Sequence, residues 1–172
     1  MTESNSGRDR VVVGVDGSPS SLMALDFAFD EAKHRGTGLL VVSAFDLPDV
    51  WSLTYGLPVS CTVEEIQHSV LQNTRRLVAE ALGNRMTADG APDVEVVAQG
   101  GGAAHVLASA AVGSPLLVVG SRGLGGFRRM LLGSVSLACV LHALCPVTVV
   151  RSAADQDRAA SSELSAAPAA IL

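Results

Sequence analysis

Aromatic side chains are scarce in this 172-residue chain, 3% of the total, with one tryptophan and one tyrosine. Proteins that hold single-stranded nucleic acid stack bases on such rings, and general nucleic-acid binders need a basic footprint; here the net charge is −5. Nucleic acid is therefore excluded as a general partner, and any anionic ligand must be held by a local site. Cysteine is equally sparse. Cys61, Cys139 and Cys145 form no CxxC pair and no even-numbered framework, which fits a reducing compartment, the cytoplasm. No run approaches the roughly 20 apolar residues of a membrane span, and Met1 to Arg10 is too polar for a secretory signal. Neither a membrane nor export is expected.

What the chain has is aliphatic: 48% of its residues are hydrophobic, and the length suits one α/β domain. Val11 to Val15 is a short β-branched run ending at Asp16-Gly17-Ser18-Pro19-Ser20, a loop with helix-start chemistry. Leu22, Leu25, Phe29 and Ala32 follow at helical spacing, and Arg35-Gly36 reads as the stop. Leu39 to Phe45 is a continuous apolar run, the mark of a strand covered on both faces. Asp46 to Cys61, with Pro48, Pro58, Trp51 and Tyr55, reads as a long loop.

From Thr62 the order Thr-Val-Glu-Glu signals a capped helix, with Ile66, Val70, Leu77, Val78, Ala81 and Leu82 as its apolar stripe. Asp93 to Ala98 alternates as a strand does, Gly100-Gly101-Gly102 turns the chain, and Ala103 to Val112 is helix-compatible. Leu116 to Val119 is a strand, a helix opens near Ser134 and stops before Cys145-Pro146, and Val147 to Val150 closes the series. Five strands alternating with four helices imply a five-stranded, mainly parallel sheet with helices on both faces, a Rossmann-like α/β fold. Ligands in such folds sit beyond the carboxyl ends of strands at a switch point. The expected organisation is a flexible stretch over 1–9, one domain over 10–151, and a flexible Ala/Ser-rich tail over 152–172.

The segment Gly120 to Ser134, G-S-R-G-L-G-G-F-R-R-M-L-L-G-S, joins a strand to a helix through a glycine-bearing loop. Glycines let backbone N–H groups approach phosphate oxygens, and the first turn of the following helix adds positive potential. The loop lacks the Gly-Lys-Ser/Thr end of a P-loop and the third spaced glycine of a dinucleotide fingerprint. Its spacing is Gly-x2-Gly-x9-Gly-Ser, with Gly120, Gly123, Gly133 and Ser134 in register.

That pattern resembles the ATP-binding branch of the universal stress protein family. The resemblance runs from about Arg10 to Arg151 and includes the opening Val-Gly-Val-Asp-Gly-Ser-Pro-Ser and the closing Cys-Pro-Val-Thr-Val-Val. It implies an adenine nucleotide α-hydrolase-like sheet holding ATP together with magnesium. By the same resemblance, Asp16, flanked by Gly14 and Val15, lies in the adenosine pocket. Backbone near Ala44 meets adenine, Gly120 lies beside the ribose and α-phosphate, and Gly123 lets the loop close. Gly133 and Ser134 donate to the phosphates, with Val135 and Ser136 beside them. Arg122 is a candidate charge partner; Arg128 and Arg129 fall in the spacer and suit water equally well. The resemblance also implies a homodimer through Val147 to Val150, an apolar edge that needs covering.

Other readings stay open at this point. Asp16 before Ser-Pro-Ser is also ordinary helix-cap chemistry. A nucleotide hydrolase or adenylylating enzyme on the same sheet would carry Ser-Gly-Gly-x-Asp-Ser or His-x-Gly-His, and neither occurs. A receiver domain needs an aspartate ending the third strand, where Ala98-Gln99 stands. An interaction-only dimer that binds no ATP is the remaining alternative. His34, His68, His105 and His142 sit in separate helices without ligand spacing, and Cys139 and Cys145 read as packing thiols. No second carboxylate or histidine is placed for phosphoryl transfer, so no catalytic residue is assigned and ATP hydrolysis is expected to be slow at most. The regulatory target, a protein client, is not written in these residues.

Overall fold

β1 (Arg10–Gly14) forms the middle of a five-stranded sheet of order β3-β2-β1-β4-β5 in which every neighbouring pair is parallel. The computed structural model describes residues 9–47, 62–124 and 132–152. The other elements are α1 (Pro19–Arg35), β2 (Gly38–Phe45), α2 (Val63–Leu82), a 3-10 turn (Gly83–Thr87), β3 (Val94–Gly100), α3 (Ala103–Ala110), β4 (Leu117–Gly120), α4 (Ser134–His142) and β5 (Val147–Val150). The expected α/β sheet is thus present. Trp51, Tyr55, Arg128, Arg129 and the terminal segments 1–8 and 153–172 lie outside the described residues.

The period-2 alternation of strands sorts the core into two layers. Val11, Val13, Leu39, Val41 and Val118 face α1 and α2, where Leu25, Phe29, Val78 and Leu82 meet them. Val12, Val42, Leu117 and Val119 face the opposite way, toward Val106 and Leu107 of α3 and Cys139 of α4. Apolar residues at consecutive strand positions are therefore needed on both faces, which is why the strands read as unbroken runs.

Local chemistry sets the helix ends. Ser18 caps α1, its hydroxyl accepting the Ser21 amide at 3.3 Å, with Pro19 in the first turn. Gly36, at φ 64°, closes α1 by donating to Ala32 and Lys33 carbonyls. Thr62 and Glu65 form a reciprocal capping box at the start of α2. Along α2 the stripe differs from expectation at one place: Ala81 is exposed, and Thr74 is buried instead, its hydroxyl satisfied by the Val70 carbonyl at 2.8 Å. β3 runs on to Gly100, paired with Phe45, so the chain turns two residues later than the alternation alone suggests.

After β1 the chain builds β2 and β3 on one side, then returns to place β4 on the other side of β1. The loops leaving β1 and β4 consequently part at the carboxyl edge and leave a crevice between them.

Candidate functional site

That crevice is a cavity of about 500 Å³, within the size range of small-molecule sites. Gly14, Val15, Asp16, Ala44, Gly120, Arg122, Gly123, Gly133, Ser134, Val135 and Ser136 all line it. The fold thus gathers these eleven residues around one space.

On the β1 side, Asp16 stands at the crossing of the two loops. One carboxylate oxygen accepts the Ser18 amide at 2.9 Å, and the other accepts the Leu124 amide at 3.2 Å, from the loop after β4. Ser18, not Asp16, caps α1. Partial burial opposes ionisation of Asp16, but its hydrogen-bonding contacts with Ser18, Ser21 and the Leu124 amide outweigh it and hold the carboxyl below its ordinary value. Asp16 is therefore an anion at neutral pH.

On the β4 side, the glycines answer to the protein as much as to any ligand. A Cβ at Gly120 would stand 2.7 Å from the Ser20 carbonyl carbon and hydroxyl oxygen, so the end of β4 packs directly on the start of α1. A Cβ at Gly123 would lie 2.6 Å from the Asp16 carboxylate. Gly133 has ordinary extended torsions, and a Cβ there would press on the Ser121 carbonyl at 3.3 Å and the Arg122 Cα at 3.4 Å. Its own amide donates to the Ser121 carbonyl at 2.7 Å. The Ser136 hydroxyl is buried and donates to the Gly120 carbonyl at 2.6 Å, tying the first turn of α4 to the end of β4.

With Gly133 as its cap residue, α4 has no side chain to accept its first amides, unlike α1 and α2. The amides of Ser134, Val135 and Ser136 open this helix at the cavity, where the first-turn amides of a helix have no partner within the helix itself. Together with the helix dipole they make an electropositive wall. Arg122 brings the cation, and Asp16 is the single carboxylate, among the described lining residues.

Another part of the wall is apolar. Val42, Ala44, Val119, Ala103 and Leu107 form it, with the Leu107 side chain lying over Gly14, where a Cβ would approach to 2.8 Å. Sequence reasoning missed Val42, Ala103, Leu107 and Val119, because each reads as core, and missed Ser21, Leu124 and Leu132 as well. The signal available was positional: residues at the carboxyl ends of strands beside the switch point. A second hollow, about 430 Å³, lies between α3 and α4 and brings His105 and His142 to one place. Among the described residues no group of three or more His, Cys, Asp or Glu is arranged for a metal, and no helix is long and apolar enough to cross a membrane.

The universal stress protein family profile matches residues 7–151. The chain belongs to the universal stress protein family. A universal stress protein of Mycolicibacterium smegmatis is 40% identical to it over 144 residues, 82% of this chain and 45% of that one. The chain thus spans about half the length of this relative and of a universal stress protein of Mycobacterium bovis that is also 40% identical. UspA from Lactobacillus plantarum superposes with a TM-score of 0.67 at 22% identity, covering 86% of this chain and all of its own, a likeness of fold. A universal stress protein solved in complex with cAMP is 27% identical, with a TM-score of 0.57 over 86% of this chain and 100% of its own.

Proposed function

We propose that this universal stress protein is a nucleotide-binding regulatory module that holds ATP with magnesium in the crevice between β1 and β4. The observation that carries the reading is the single cavity that joins an apolar end to an uncapped helix start. Adenine suits the wall of Val42, Ala44, Ala103 and Leu107, and the ribose hydroxyls suit the Asp16 carboxylate, an acceptor on the cavity wall. The phosphates suit the amides of Ser134, Val135 and Ser136, the turn from Gly120 to Gly123 and the charge of Arg122. A relative bound to cAMP supports an adenine nucleotide as the ligand class.

Magnesium fits as a companion of the phosphates more than of the protein. Asp16 is the one carboxylate among the described lining residues and already accepts two amides, so most of the ion's oxygen ligands would come from phosphate and water. When bound, the ion neutralises phosphate charge. No residue is assigned to catalysis: Asp16 is ionised and hydrogen-bonded, and no histidine is among the described lining residues. Hydrolysis is accordingly slow at most, and the bound state acts through the surface it shapes, in the cytoplasm.

That surface includes a homodimer edge. β5 ends the sheet with Val147, Thr148, Val149 and Val150 all half-buried. Beside it, Leu137, Val140 and Leu141 are exposed at the spacing of a helical stripe on α4, and Leu144 is exposed just beyond the helix end. A second copy pairing along β5 covers both.

The test is a calorimetric titration of nucleotide-stripped protein with Mg-ATP, after mass analysis for co-purified nucleotide. Saturable binding near one per chain is expected. Gly133→Val, which pushes a side chain onto Ser121 and Arg122, is expected to weaken binding at least about tenfold in a folded protein, the loss of one good charged hydrogen bond or more. Absence of binding by the wild type overturns the reading and leaves an interaction-only dimer.

A further inference from the structure

Ser20 lies outside the cavity, in the first turn of α1, with 3% of its surface exposed. Its hydroxyl donates to the Arg122 carbonyl and accepts the Arg122 amide at 3.4 Å, so one side chain holds both backbone polar groups of a residue 102 positions along the chain. A hydroxyl has one proton and two lone pairs, and these two bonds use the proton and one pair without conflict. The Ser18 hydroxyl gives the same carbonyl a second bond at 3.2 Å. On the strand side, the absent side chain of Gly120 is what lets Ser20 come this close.

Arg122 sits inside the Gly-x2-Gly step, between Gly120 and Gly123. Glycine on either side widens the torsional choice of that turn, and a turn with wide choice needs an outside hold to keep one shape. We infer that Ser20 is a positioning residue of the nucleotide site. It fixes the Arg122 backbone, and with it the turn from Gly120 to Gly123, at the height where phosphates meet the first turn of α4. The inference rests on the nucleotide reading above, and Ser20 itself touches no ligand. Its reach is one-sided: Val42, Ala44, Ala103 and Leu107, at the base end, come from β2 and α3 and take no bond from Ser20.

The experiment compares adenosine with Mg-ATP on the full chain. Ser20→Ala is expected to raise the Kd for Mg-ATP roughly tenfold, the scale of a lost buried hydrogen bond, and to leave the Kd for adenosine within about twofold. Ser20→Thr keeps the hydroxyl and is expected to restore Mg-ATP binding. In nucleotide-free wild-type protein the Arg122 amide is expected to exchange slowly with solvent deuterium, and in Ser20→Ala faster. Equal weakening for both ligands, or unchanged Mg-ATP affinity in Ser20→Ala, overturns the inference while wild-type binding upholds the nucleotide reading. If Ser20→Ala does not fold, rapid exchange of the Arg122 amide in the wild type overturns it instead. Wild-type protein that binds neither ligand removes the nucleotide reading, and the role of Ser20 with it.

Discussion

The two faces of the sheet carry unequal helices. On one, α1 has 17 residues and α2 has 20, and between them and the strands lies the larger buried layer, including Leu25, Phe29, Val78 and Leu82. On the other, α3 has 8 residues and α4 has 9, and Val112, Leu137, Val140, Leu141 and Leu144 stay exposed around them. Burying a Leu or Phe contributes about 1.5–3 kcal/mol, so the long-helix face holds the molecule together. The short-helix face leaves apolar surface uncovered and leaves the cavity its apolar wall and its uncapped helix start. The larger buried layer and the apolar wall of the cavity thereby lie on opposite sides of one sheet, joined at Asp16 and the α1 start.

This contrast breaks first at Phe29. It is buried at 2% exposure, and the Arg85 guanidinium sits 4.8 Å from its ring centre, with Asp26 and Asp30 paired to that arginine. Phe29→Ala is expected to cost about 3–5 kcal/mol in urea unfolding, as core Phe truncations do. Nucleotide affinity of the folded fraction should stay unchanged. A large loss of affinity there would show the faces to be coupled.

Asp16, at the seam, comes next. Its folded pKa lies below the ordinary 3.8, so the unfolded state takes up the proton first as pH falls. The stability it contributes is complete above the unfolded value, near 3.9, and is lost as pH drops through the folded one. Asp16→Asn should therefore lower stability by about 1 kcal/mol at neutral pH, modest because the carboxylate is partly open to water. The difference from wild type should close in acid. A gap that stays constant from neutral to strongly acid pH would show that the charge is not what holds the two loops.

The smallest effect on folding is expected at Leu141, 65% exposed on the open face. Leu141→Ser should change monomer stability by less than about 0.5 kcal/mol while shifting a dimer toward monomer in sedimentation at fixed concentration. An unchanged association state would separate the stripe on α4 from the β5 edge.

Much of this architecture is legible in the chain because its causes are local. The Thr62-Glu65 box, the Gly36 stop and the unbroken Leu39 to Phe45 run each act within a few residues, and each is found where the pattern puts it. The spaced glycines marked a loop that lines the cavity but not their reasons. Gly120 faces Ser20 and Gly123 faces Asp16, contacts about a hundred residues apart that no local pattern encodes. The apolar part of the cavity wall hid for another reason: Val42 and Leu107 are apolar and buried whether they pack on protein or on a ligand. Ser20 looked like one more serine at a helix start, and its partner is visible only once β4 is seen beside β1.

The strand order also sets a timetable. During synthesis β1, α1, β2 and β3 emerge first, and they already supply Asp16, Ala44 and the serines of the α1 start. The opposite wall waits for β4 to slot in beside β1 and for α4 to follow, a long-range pairing of the kind that slows folding. A nascent chain that stops short of Gly133 has half a pocket and no first-turn amides of α4. On the proposed reading, the ligand site is thus complete only once the first turn of α4 has formed, and a ligand that fits would draw the population toward molecules that have formed it, by mass action.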